Sequence, residues 1–292
     1  MIASGGFAGQ SRTVPGLRWL TSVVSIAIPA VRAPWALCEN GTLKRLTVVL
    51  PLLILAACGG GPQPKQETAA SLPEAHIDSA TAGTVTGKVV FEGKPPVMPV
   101  IDMSSNPQCE RQHPKPQRAE VVVVNANGTL KNVFVWIKDG LPRAHWAPPA
   151  EAARLDQNGC EYSPHVLGIM KDQRLEILNS DPVNHNVHAE STTNVAWNES
   201  QPPRAEHKFK EFSSEEVLFP VTCSVHPWMR SYIGVSPHPF FAVTGEDGAF
   251  SLKGVPPGTY TIEAVHEKYG RKEGKVTLAP NGSVTVDFTY GN

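Results

Sequence analysis

No long stretch of this chain carries an apolar repeat of 3.6 residues, so a bundle of amphipathic helices is excluded from the start. Short Val-, Ile- and Thr-rich runs follow one another instead, cut by turn residues drawn from 27 prolines and 24 glycines. Runs of that length and composition, bounded by Gly, Pro, Asn and Asp, predict an all-β chain of many short strands. At 292 residues there is material for one or two domains.

The N-terminus reads differently. Lys44 and Arg45 precede an apolar run, Leu46 to Ala57, which ends Leu55-Ala56-Ala57-Cys58. A basic region, a short apolar region and small residues before a cut site make a secretory signal, and the run is too short for a transmembrane helix. Its ending resembles a bacterial lipobox. That resemblance implies that residues 1–57 are lead and signal peptide, and that Cys58 becomes a lipidated N-terminus. Gly59 after it, with no Asp, points to the outer membrane. A translation start downstream, at a residue such as Val31 or Leu37, would shorten the long lead. Residues 58–82 then form a polar, Pro- and Gly-bearing flexible tether.

Loss of residues 1–57 removes five bases (Arg12, Arg18, Arg32, Lys44, Arg45) and one acid (Glu39), leaving 21 bases, 26 acids and a net charge of −5. Such a chain carries no basic footprint for nucleic acid. Export places it in an oxidising compartment where disulfides persist.

Strand signals begin with Gly83–Phe91 and a turn at Glu92–Pro96. They continue with the apolar run Val121–Val124, a turn at Asn125–Gly128 and the strand Val133–Ile137, and residues 141–151 read as a loop. Further strands are expected at His165–Met170, Arg174–Asn179, Asn186–Glu190, Glu206–Lys210, Glu215–Cys223 and Tyr232–Ser236. From Phe241 to Leu252 the pattern is strand, Asp247-Gly248 turn, strand. Gly254–Ile262 adds a turn and a strand, and Lys275–Leu278 and Ser283–Tyr290 flank an Asn281-Gly282 turn. The motifs Thr244-Gly245-Glu246-Asp247-Gly248-Ala249-Phe250 and Pro256-Pro257-Gly258-Thr259-Tyr260 resemble the carboxypeptidase-regulatory-like, or transthyretin-like, β-sandwich. Its opening strand resembles Gly83–Lys94. One sandwich is therefore expected in two pieces, 83–149 and 240–292, with residues 150–239 inserted between them; a single larger sandwich is the alternative.

The inserted region carries the chemistry. Cys223-Ser224-Val225-His226-Pro227-Trp228-Met229 places a thiolate, an imidazole and a thioether on one short loop after a β-rich run. One Cys, two His and a weak axial Met form the blue-copper ligand set. A second His is offered by Asn184-His185-Asn186-Val187-His188 upstream. Together the loop and the His-Asn-Val-His segment resemble amicyanin and, more widely, plastocyanin and pseudoazurin, the cupredoxins. Gly168–Leu175 resembles the strand–turn–strand that precedes the first ligand in that family. The resemblance implies one type 1 copper ion held by His185, Cys223, His226 and Met229, with His188 the rival for the upstream position. It implies that Asn186 ties the two ligand loops together, and that Pro227 and Trp228 shield His226 and form a docking face. Asn184 stands where the family usually has Pro, and Trp228 where it has a smaller apolar residue or Phe. With Cys223 given to the metal, Cys109 and Cys160 remain as the disulfide pair; Cys223 in a disulfide is the alternative.

The fold class expected is thus all-β, a cupredoxin Greek-key sandwich inserted in or adjoining a transthyretin-like one. The function expected is electron transfer, with no enzymatic activity. Thr222 and Ser224 flank the Cys, where copper enzymes that wire one copper to another use a His. There is no Cys-x-x-Cys-His haem attachment, no Gly-x-Ser-x-Gly elbow, no phosphate loop, and His266-Glu267 lacks the second His of a zinc protease. The partner implied is a redox protein such as a c-type cytochrome or a dehydrogenase, met in the periplasm or cell envelope, with the N-terminal lipid in the membrane. The alternatives are a copper-handling lipoprotein without redox turnover and a structural or interaction sandwich.

Overall fold

Burial alternates residue by residue along Gly83–Glu92, with Val85, Gly87, Val89 and Phe91 turned inward, as a strand with one wet face requires. That pattern recurs throughout the computed structural model, which describes residues 72–291. The signal segment, Cys58 and most of the tether lie outside the described residues. In chain order the strands are β1 (Gly83–Glu92), β2 (Phe134–Asp139), β3 (Ala153–Gln157), β4 (Tyr162–Ser163), β5 (Val166–Met170), β6 (Leu175–Asn179), β7 (His185–Ala189), β8 (Trp197–Gln201) and β9 (Lys208–Lys210). They continue with β10 (Glu216–Thr222), β11 (Arg230–Ser236), β12 (Phe241–Val243), β13 (Ala249–Val255), β14 (Gly258–His266), β15 (Gly270–Leu278), β16 (Ser283–Thr285) and β17 (Phe288–Gly291). One four-residue helix, α1 (Pro107–Glu110), stands among them. The chain is all-β, as its punctuation requires.

Four sheets form two sandwiches. In the first, β1 pairs with β13, β16 and β17, while β2 pairs with β12 and β14, and β14 with β15. Both sheets therefore draw strands from either side of residues 150–239. Val89, Leu130, Val135, Ile137, Leu252 and Ile262 fill the space between them. In the second sandwich the sheet β5-β11-β10-β7-β8 faces the sheet β4-β3-β6-β9 across Leu155, Ile177, Val187, Phe219, Val221 and Ile233.

The two sandwiches meet back to back. Phe134, Trp136 and Val166 form a third buried cluster, flanked by Tyr232 and Phe241. Two glycines permit this approach: a Cβ on Gly234 would lie 2.9 Å from the Phe134 ring, and one on Gly168 would lie 2.6 Å from the Phe241 ring. Below them Glu263, fully buried, accepts hydrogen bonds from Trp136 Nε1 (3.0 Å), Lys138 Nζ (2.9 Å) and Arg271 (2.8 Å).

Several expected elements differ in detail. Val121–Val124 is not a strand; it turns, and its ladder pairing is a single isolated bridge between Val124 and Leu130. An apolar run records burial, which this loop reaches by packing on the first core. The expected strand Ser283–Tyr290 is two strands, β16 and β17, both parallel to β1. Strands β3, β4 and β8 carry mixed polar sequence and are absent from the expected set.

Candidate metal centre

The loop Cys223–Met229 is the connection of the β10–β11 hairpin. Its ends are tied: Cys223 N–H donates to Met229 O (3.4 Å), and Met229 N–H to His226 O (3.0 Å). His185 opens β7, which pairs antiparallel with β10, so that His188 lies opposite Thr222. Pairing therefore delivers the start of β7 to the loop that ends β10.

There three donor atoms converge. His185 Nδ1 lies 2.9 Å from His226 Nδ1, and Cys223 Sγ lies 3.8 Å from the same nitrogen. His185, Cys223 and His226 are all buried and present one ligand atom each within 4.8 Å of the others. Met229, 1% exposed, packs with Cys223 in the same core cluster. His188 is turned away, 38% exposed and 3.8 Å from Glu190.

The outer nitrogens are held by the protein. His185 Nε2 donates to Asp181 Oδ2 (2.8 Å), and both side chains are fully buried. Asp181 also accepts the main-chain N–H of Gly159 (2.8 Å) and Cys160 (2.7 Å). Gly159 and Cys160 have φ of 71° and 53°, consecutive left-handed residues whose N–H groups converge on one carboxylate. Burial alone would raise the Asp181 carboxyl, but the hydrogen bonds from His185, Cys160 and Gly159 outweigh it and hold it low. Burial likewise works against a charged His185, while Asp181 and Cys223 outweigh it and raise the imidazole. For the Cys223 thiol, burial works upward, and hydrogen bonding from His185 and the main chain of Asn186, His226 and Val225 carries it down. His226, desolvated and facing His185, is lowered to about 4.

Asn186 joins the two ligand loops: its Oδ1 accepts Ser224 N–H (2.5 Å), and its Nδ2 donates to Ser224 Oγ (3.2 Å) and to Asn198. Tyr162, from the facing sheet, donates its hydroxyl to Asn186 O (2.6 Å) and Thr222 O (2.9 Å), bracing the same junction.

Cys109 and Cys160 are joined in a disulfide, and Cys223 is free. The bridge does more than staple. Cys109 Sγ lies 3.6 Å from His226 Nε2, and Asn106 Nδ2 lies 2.7 Å from that nitrogen. The outer edge of His226 is therefore covered by α1, and the ring is 1% exposed. To the expected cover of Pro227 and Trp228 the structure adds this third element. Pro227 is exposed; Trp228, half-buried, packs on His226 with ring centroids 5.1 Å apart and planes tilted by 47°, and donates Nε1–H to Cys160 O (3.0 Å). Asn106, Cys109 and Trp228 together cover His226.

Sequence reasoning assigns no role to Asp181 or Asn106. Asp181 stands in plain view, four residues before His185. Asn106 is signalled only as a helix N-cap ahead of Pro107, a role it fills by accepting Gln108 N–H (3.2 Å) and Cys109 N–H (3.4 Å).

The donor set fits a soft or borderline ion such as copper: one thiolate, two imidazoles whose inner nitrogens face each other, and outer nitrogens fixed by other groups. Residues 235–291 match the family model of the carboxypeptidase regulatory-like domain. Among solved structures, the chain is similar to a purple cupredoxin from Nitrosopumilus maritimus (22% identity, 29% of this chain and 99% of that one, TM-score 0.25). It is also similar to a Cu(I) amicyanin variant (19% identity, 35% and 98%, TM-score 0.26). A third is a Cu-containing nitrite reductase from Thermus scotoductus SA-01 (19% identity, TM-score 0.28), where the match covers 32% of this chain and 24% of the reductase. No curated protein matches the chain.

Proposed function

We propose that this protein is an electron carrier whose residues 150–239 hold one type 1 copper ion through His185, Cys223, His226 and Met229. The reading rests on one observation above others: Nδ1 of His185, Nδ1 of His226 and Sγ of Cys223 meet in a buried pocket although His185 is 38 residues before Cys223 in the chain. Copper, when bound, supplies the one-electron Cu(I)/Cu(II) couple. The chain's own part is to keep the donors where they stand. Asp181 fixes the His185 ring with its proton on Nε2, leaving Nδ1 as a donor. Asn186 and Tyr162 hold the two loops together, and α1 keeps water from His226.

The protein is read as exported and lipid-anchored through Cys58, working in the periplasm or envelope beside a redox protein such as a c-type cytochrome or a dehydrogenase, and performing no catalysis of its own. Optical and EPR spectra of the oxidised, copper-loaded chain test the site. An intense thiolate-to-copper band in the visible, lost in Cys223→Ser, is the expected result. Its persistence in that variant would defeat the assignment. Reversible voltammetry separates an electron carrier from a protein that only stores the ion.

A further inference from the structure

We infer that reduction of the Cys109–Cys160 disulfide creates a second soft-metal site on the outer side of His226, with the two cysteine thiolates and His226 Nε2 as ligands. Cys109, Cys160 and His226 already form a buried set whose ligand atoms lie within 4.8 Å of one another. The Cys109 Sγ to His226 Nε2 separation, 3.6 Å, is the spacing that one metal ion imposes: an ion about 2.3 Å from sulfur and about 2.0–2.1 Å from nitrogen holds the two roughly 3.5–3.8 Å apart. Only the two sulfurs have to part. The segment that carries Cys109 is built for that. Helix α1 has four residues and buries a single side chain, Cys109 itself. A thin cover of this kind opens at small cost. Cys160, in contrast, is fixed: its N–H is bound by Asp181 and its carbonyl by Trp228. One ligand is mobile, two are anchored, and two thiolates with an imidazole suit Cu(I), Zn(II) or Cd(II).

A dithiol performs the conversion by exchange. One of its thiolates attacks a sulfur of the pair, its second thiol closes the reductant's own disulfide, and both cysteines leave as thiols, so two electrons and two protons pass to the protein. A soft ion then displaces the two thiol protons without changing its own oxidation state. The outer site forms on the copper-free chain, where His226 can carry its proton on Nδ1 and present the Nε2 lone pair that Asn106 Nδ2 now faces at 2.7 Å.

The test uses the full chain carrying Cys223→Ser, which removes the inner thiolate. The protein is reduced with dithiothreitol, desalted without oxygen and titrated with Cd(II), with the thiolate-to-metal absorption in the ultraviolet recorded; untreated protein and a Cys109→Ser, Cys223→Ser double variant serve as references, which accounts for Cys38 and Cys58. The expected result is one further equivalent of Cd(II) bound by the reduced chain alone, with affinity falling about tenfold or more when His226→Gln is added. Equal uptake by reduced, untreated and doubly substituted chains overturns the inference. So does loss of near-ultraviolet circular dichroism on reduction, because a cover that unfolds the sandwich cannot become a ligand.

Discussion

Asp181 and His185, four residues apart, face each other at 2.8 Å with no solvent exposure of either side chain. The carboxylate fixes which imidazole nitrogen is free, and it simultaneously receives the two left-handed N–H groups beside the disulfide. Asp181→Asn keeps the volume but forfeits the charge-assisted bond. Metal affinity is expected to fall about 10–100-fold, the range for loss of a ligand's outer partner, as measured by competition with a chelator of known affinity. An unchanged affinity would show that His185 is oriented by packing alone.

Asn186→Ala removes the acceptor of Ser224 N–H and the link between the loops. The cost to folding is expected at about 0.5–1.5 kcal/mol, the net worth of a hydrogen bond whose donor lies on an exposed residue, measured by urea unfolding of metal-free protein. Broadened EPR lines of the copper-loaded variant would register the loosened loops independently.

Gly234→Val tests the junction of the two sandwiches. The new side chain meets Phe134 on a face with no spare volume. Overpacking of this kind costs about 1–3 kcal/mol, and a lowered Tm is expected, with Gly168→Val behaving alike against Phe241. A Tm equal to the parent's would mean that the sandwiches separate freely.

Acid stability is expected to track two buried histidines remote from the metal ligands in sequence. His238 and His266 are lowered to about 4, in both cases chiefly by burial. Their folded pKa lies below the unfolded value of about 6.5, so the unfolded chain binds the proton first, and stability present above pH ~6.5 is lost as pH falls towards ~4. Each contributes up to about 3 kcal/mol over that interval, at roughly 1.4 kcal/mol per pH unit. His238→Gln should flatten the stability profile between those limits; an identical slope would place the sensitivity elsewhere.

Glu263 is fully buried among Trp136, Lys138 and Arg271. Glu263→Ala strands the buried indole N–H of Trp136 and frees Arg271, while Lys138 keeps Glu273 as its partner. A loss of about 1–3 kcal/mol, the range for a stranded buried donor, is expected by denaturant titration, while Glu263→Gln, which can still accept the indole bond, should lose less.

Turn residues at short intervals exclude helices and locate most of the strands, because Gly, Asn and Pro act on the backbone locally. The spacing Cys223, His226, Met229 puts three donors on one hairpin loop, a local relation that three-residue steps fix by themselves. What only the tertiary structure decided is what lies against those donors. Asn106 and Cys109 reach His226 across 120 and 117 residues, and they cover an edge for which the sequence offered only Pro227 and Trp228 as a shield. Alternation along a strand tells which side chains are buried and is silent on which distant segment buries them; that partner is chosen by the packing of the whole chain.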